Sequence, residues 1–197
     1  MKIKERAKPK TPPVEPGVYI GICVGVIDLG EQYSDKFKRY SSKVKIVWEL
    51  VGETIEVDGK QEPRQLSKEF TVSTSKKSNL RGFISSWNGR NYTDDEFGEL
   101  DLFDQIGQAC QLQVVLNDTG EYANIDNIMA LPKGVPAPTS TTPPIRWDMD
   151  SWDDKAFEEL PLWAQEQIKK STQYQKDHTP TDTIQAQPTA QKEACPI

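Results

Sequence analysis

The sequence predicts an all-β fold with minor helix: a five-stranded barrel with one helical stretch between the third and fourth strands, followed by an unstructured acidic C-terminal tail. Three observations predict it. Apolar–polar alternations of period two recur through residues 17–134, bounded by turn residues. The first alternation is long and punctuated by Gly21 and Gly25, as in a strand that bends to serve two sheets. A capped helical pattern then separates the third alternation from the fourth.

The elements follow in order. Residues 1–16 are basic and rich in Pro and read as a flexible arm. From Gly17 to Leu29, Val18, Ile20, Ile22, Val24 and Val26 alternate with Tyr19, Gly21, Cys23 and Gly25, giving one large apolar face and one nearly bare face. Gly30 to Arg39 reads as a polar, basic loop. In the second strand, Tyr40 to Val51, Val44, Ile46, Trp48 and Leu50 point one way, and Lys43, Lys45, Val47 and Glu49 the other. Asp58-Gly59 signals a turn. Leu66 to Thr74 is the third strand, with Phe70 and Val72 on one face. Ser78 opens a helical stretch through Trp87. Thr93-Asp-Asp-Glu96 matches a capping box and starts a second helical piece that ends near Gly107. Cys110 to Leu116 and Tyr122 to Ala130, joined by Asp118-Thr-Gly120, complete the strands. This β-β-β-α-β-β order resembles the OB-fold, a partly open five-stranded barrel whose strands and loops commonly bind oligonucleotides.

Beyond residue 134 the composition changes. Residues 135–146 form a Pro/Thr linker without core-forming residues. Residues 147–171 form an acidic-aromatic segment ending in a short helix, and residues 172–197 read as disordered tail. The chain has no apolar run of 18 residues, and the charged start has no apolar stretch behind it, so a cytoplasmic location is expected. Cys23, Cys110 and Cys195 have neither the number nor the spacing of a disulfide framework or a zinc knuckle. Cys23 and Cys110 are expected in the core, and Cys195 as a free thiol in the tail. The single histidine, His178, lies in that tail too, so no Ser-His or Cys-His nucleophile is expected. There is no Walker loop. Glu96, Glu99, Asp101 and Asp104 read as the solvated side of a helix rather than a magnesium-dependent nuclease site. No enzyme, cofactor or metal is expected.

Charge is sorted along the chain. Residues 1–90 carry 17 Lys/Arg against 11 Asp/Glu, residues 91–134 carry 1 against 9, and residues 135–197 carry 6 against 10. The net charge of −6 therefore conceals a basic half. Within it, Tyr33, Lys36, Phe37, Lys38, Arg39 and Tyr40 interleave cations with aromatic rings, the mixture a polyanion with stackable bases requires. Lys43 and Lys45 project from the next strand and would prolong a cationic track. Lys76, Lys77 and Arg81 beside a helix start would add phosphate contacts. Trp48 and Trp87 sit at core positions. Trp147, Trp152, Phe157, Leu160 and Trp163, set among acids, are expected to dock on a partner or to fold back on the chain's own cationic groove.

The ordered stretches Glu15-Pro-Gly-Val-Tyr19, Ile27-Asp-Leu-Gly30, Lys45-Ile-Val-Trp-Glu49, Phe70-Thr-Val-Ser73, Lys77-Ser-Asn-Leu-Arg81, Trp87-Asn-Gly-Arg90, Ile106-Gly107 with Cys110, Ala123-Asn-Ile125 and Leu131-Pro-Lys-Gly134 resemble the single-stranded-DNA-binding proteins encoded by tailed bacteriophages. Leu160-Pro-x-Trp163 with Ile168-x-x-Ser171 is a further echo. The resemblance covers about residues 15–134. It implies an OB-type domain that coats single strands during phage replication or recombination in the cytoplasm of the bacterial host. It also implies a tail that contacts a replication or recombination protein, with self-association left open. Cellular single-strand binders typically end in an acidic run closed by a hydrophobic residue. This chain ends Glu193-Ala-Cys-Pro-Ile197, and its acids lie internally. The rival expectation is an OB-like interaction module that binds a host or phage protein and ignores DNA.

Overall fold

The computed structural model describes residues 12–178. The strands are β1 (Gly17–Ser34), β2 (Arg39–Val57), β3 (Lys60–Thr71), β4 (Ala109–Leu116), β5 (Ala123–Met129) and β6 (Ile145–Trp147). The helices are α1 (Asn79–Asn88), α2 (Asp94–Gly98), α3 (Asp154–Glu159), α4 (Leu162–Ile168) and α5 (Thr172–His178). The fold is mostly antiparallel sheet with few helices. The sheet runs β3-β2-β1-β4-β5, and β6 pairs in parallel with β1 at Gly25–Ile27. The sheet is not closed by a ladder. Its edges β3 and β5 approach where the Lys68 ammonium donates to the Ile125 carbonyl, across a groove that both strands line.

Several local signals hold. Ser78 caps α1 by accepting from the Arg81 amide, and Thr93 with Glu96 forms a reciprocal capping box on α2. The Asp58-Gly59 turn joins β2 to β3, both residues having positive φ. Leu80, Phe83, Ile84 and Trp87 share one face of α1, at helical spacing, and enter the main core. Phe83 and Trp87 meet Trp48 at ring-centroid distances of 5.8 and 5.6 Å. Cys23 and Cys110 are buried there as well.

Other expectations are corrected. The expected loop 30–39 is mostly strand: β1 and β2 stay paired out to Ser34 and Arg39, leaving only Asp35–Lys38 as the turn. The expected bare face of β1 is not bare. A register shift between Cys23 and Gly25 reverses the alternation. Cys23 and Val26 therefore face the main core, whereas Val24, Ile27 and Leu29 face a second one.

That second core is the largest departure. It is built by residues expected to be linker, docking segment and tail. Val47 joins Val24, Ile27 and Leu29 from the sheet, and Trp147, Phe157, Leu160, Ala164 and Ile168 cover them. Residues 145–178 thus form a folded strap across the outer face of β1 and β2. Residues 172–178, expected as the start of the unstructured tail, form α5. The linker is pinned as well. Glu49 accepts hydrogen bonds from the Ser140 hydroxyl (2.7 Å) and the Thr142 amide (3.0 Å). The expectations for most of the N-terminal arm, for Cys195 and for the rest of the tail lie outside the described residues. Among the described residues, no helix is long and apolar enough to cross a membrane.

Candidate nucleic-acid interface

The β1–β2 hairpin carries the basic-aromatic cluster at its turn end. Tyr33 and Tyr40 are cross-strand partners with ring centroids 5.0 Å apart. Such a pair holds both strands in register near the turn. Phe37 occupies the turn itself, with the Lys36 ammonium 5.5 Å and the Arg39 guanidinium 5.7 Å from its ring centroid. Tyr33, Phe37 and Tyr40 are 48%, 63% and 55% exposed. Lys38 adopts φ 50° and lies 3.7 Å from Asp35, a pair so exposed that it contributes little. All six hairpin residues named from the sequence therefore come together, with rings and cations open to solvent.

The remaining cations of the expected track are placed differently. The Lys43 ammonium donates to Thr71 Oγ1 at 2.8 Å and lies 3.7 Å from Glu69. Lys45 is under the strap: its ammonium donates to Gln167 Oε1 at 3.2 Å and sits 4.6 Å from the Trp163 ring centroid. Gln167 Nε2 in turn donates to Glu69 at 3.4 Å. Both lysines do leave the face opposite the main core, as the alternation predicts. There the strap covers Lys45, and Lys43 is paired with side chains of β3.

Arg81 is a structural cation. It is buried and donates to the Thr74 carbonyl, to Asp94 at 2.7 Å and to the Tyr92 carbonyl at 2.6 Å, tying α1 to α2. Lys76 reaches the same carboxylate at 3.2 Å. The Arg81 and Lys76 donors beside Asp94 hold its carboxyl below the ordinary aspartate range. Lys77 is exposed. Of the three cations expected here as phosphate ligands, Arg81 is buried and hydrogen-bonded within the chain and Lys76 is paired with Asp94.

The docking residues expected on the C-terminal segment are likewise redistributed. Trp147, Phe157 and Leu160 are buried in the second core. Trp152 meets Trp147 edge-on at 5.0 Å and Phe157 at 4.8 Å, and Tyr174 lies 5.6 Å away. His178 stacks on Tyr174 at 4.1 Å. Only Trp163 remains substantially exposed, beside Leu162.

Residues that the sequence reading missed are those that hold the strap. Gln173 Oε1 accepts from the Glu31 amide at 2.9 Å, the Thr172 hydroxyl donates to Glu31 at 2.8 Å, and Gln32 Nε2 donates to the Gln167 carbonyl at 3.0 Å. A pairing across more than a hundred residues leaves no local pattern. A cation–aromatic pair beside α1 was also missed: the Arg90 guanidinium lies 4.2 Å from the Tyr92 ring centroid.

Lifting the strap would uncover the second core. The second core buries nine apolar residues, each worth roughly 1.5–3 kcal/mol when large and fully buried. Exposing them all would therefore cost on the order of 10 kcal/mol. The strap is part of the fold, and the hairpin end is an open cationic surface.

No family model, curated protein or solved structure matches the chain. Among the described residues, no group of three or more His, Cys, Asp or Glu is arranged to hold a metal ion.

Proposed function

We propose that this protein is a non-enzymatic single-stranded-DNA-binding protein built on an OB-like barrel, coating strands with weak sequence preference during phage replication or recombination. The observation that carries the reading is the exposed set of three rings and three cations on the β1–β2 hairpin. Rings stack on any base, and cations release counterions from the phosphates. Tyr33, Phe37 and Tyr40 stack; Lys36, Lys38 and Arg39 hold phosphates. Lys43 and Lys45 are engaged within the chain and contribute little.

The test is titration of labelled oligo-dT and a matched duplex with the full chain at low and high salt. Salt-sensitive binding of the single strand alone is expected. Lys36→Glu with Lys38→Glu weakens it about tenfold or more, by loss of two phosphate contacts. Lys45→Ala leaves it near the wild-type value. The reverse ranking of these variants would move the site to the covered face.

One observation favours a second reading, an interaction module that binds a host or phage protein. Leu162, 77% exposed, and Trp163 stand beside exposed Glu158, Glu159 and Glu166. An absence of binding to either DNA would favour that reading. In either case a protein partner meets Leu162 and Trp163, because the other docking candidates are internal or packed on one another.

A further inference from the structure

A second open surface combines cations, an aromatic ring and room for a ligand. It is a groove of about 520 Å³ on the outer side of α1. Its wall is formed by Lys76, Arg81 and Arg90, by the Tyr92 ring, and by the small residues of the helix, among them Gly82 and Ser85. No carboxylate lines it. The acids that balance these cations stand outside the wall: Asp94 pairs with Lys76 and Arg81, and Glu96 lies 4.0 Å from Arg90. Two of the last four carbonyls of α1, whose partial negative charge would repel an anion, are occupied. Ser85 accepts from the Arg90 amide, and Ser86 from the Gly89 and Ala130 amides.

Three features fit one chemistry. The Arg90 guanidinium is laid over Tyr92 at 4.2 Å, and the Tyr92 hydroxyl is held by the Asn88 amide at 2.8 Å. A guanidinium plane held this way offers its outer side to a nucleobase. Lys76, whose side chain is 75% exposed, supplies a mobile positive charge for a phosphate. Gly82 leaves the floor low, because a Cβ built there would meet nothing within 4 Å. We propose that this groove is a second contact for a phosphate-and-base unit of single-stranded DNA, engaged by strands long enough to leave the hairpin and reach α1. The proposal rests on the single-strand reading of the hairpin and adds a site to it.

Gly82 supplies a clean variant. It lies inside α1 without positive φ and faces open space, so Gly82→Ala and Gly82→Glu are both tolerated by the helix, and only the second places a bulky carboxylate in the groove. The experiment measures anisotropy of labelled oligo-dT of about 5 and about 20 nucleotides, one near the short end of what one such domain contacts and one beyond its long end. The full chain is compared with Gly82→Ala, Gly82→Glu, Arg90→Glu and the hairpin variant Lys36→Glu with Lys38→Glu. The expected result is that Gly82→Glu and Arg90→Glu lose about tenfold in affinity for the long strand, the loss of one stacked base. They bind the short strand as wild type does, and Gly82→Ala matches wild type at both lengths. Wild-type affinity of Gly82→Glu for the long strand, with the hairpin variant weakened, would overturn the second contact and leave the hairpin reading standing. Wild-type protein that binds neither length would overturn both.

Discussion

Glu49 shows how one residue decides what a segment does. A carboxylate on a strand next to basic residues would ordinarily be a surface group, yet here it is 6% exposed. Burial alone would raise its pKa. The hydroxyls of Thr142 and Ser140 and the amides of Thr142 and Thr141 outweigh that and hold it below the ordinary glutamate range. A carboxyl whose folded pKa is depressed stabilises the fold above its unfolded pKa, about 4.3. That stability is lost as pH falls through the lower folded value. Glu49→Gln is therefore expected to lower stability by about 1.5–3 kcal/mol at neutral pH, the range for hydrogen bonds to a charged group. The gap to wild type should close in acid. Urea melts of both proteins at neutral pH and below about pH 4 check this. A gap of equal size at both would mean that the carboxylate charge does not hold the linker. The buried thiols contrast with this group: burial pushes Cys23 up to about 12 and Cys110 up as well, so both stay protonated and act as small core residues.

At the scale of elements, Gly30 joins sheet to strap. It has φ +69°, and a Cβ there would lie 2.8 Å from Ser171 Cβ and 2.9 Å from Gln173 Oε1. Gly59 has φ +80° but nothing within 4 Å. Gly59→Ala therefore costs the left-handed backbone penalty alone, about 1–2 kcal/mol. Gly30→Ala must also push α5 away from β1, so its melting temperature is expected to fall below that of Gly59→Ala. Equal melting temperatures would mean that α5 lifts without loss. What was legible in the sequence divides along the same line. Ser78, the Thr93–Glu96 box and the Asp58-Gly59 turn act on neighbours a few residues away, so their signals are complete in a short window. The alternation of Val44, Ile46, Trp48 and Leu50 announced the main core for the same reason. The hairpin residues 33–40 were legible as a cluster because a turn gathers neighbours in sequence. Lys45 was not, because its covering groups Trp163 and Gln167 come from more than a hundred residues away. The β1 register shift also escaped: an added residue in a strand is invisible until its partner strand is known.

Charge sorting belongs to the whole molecule, and so does the strap that it seemed to set apart. The acidic composition of residues 147–171 suggests a segment independent of the sheet, but composition averages over faces. Asp153 caps α3, and Glu158 and Glu159 face water, while Trp147, Phe157 and Leu160 turn inward. A domain cut after residue 134 would lose β6, α3, α4 and α5 together. It would expose Val24, Ile27, Leu29 and Val47 on one side of β1 and β2, along with the edge of β1 that β6 pairs. A contiguous apolar patch beside an unpaired strand edge promotes association. A chain of residues 1–134 is expected to bind a hydrophobic dye, to melt at lower temperature than the full chain, and to associate at concentrations where the full chain does not. Sedimentation and dye fluorescence read these outcomes directly. Residues 1–178, which keep the strap, should behave as the full chain does. If residues 1–134 instead stay monodisperse with an unchanged melting transition, the strap adds nothing to the stability of the sheet, and covering Lys45 would have to be its purpose.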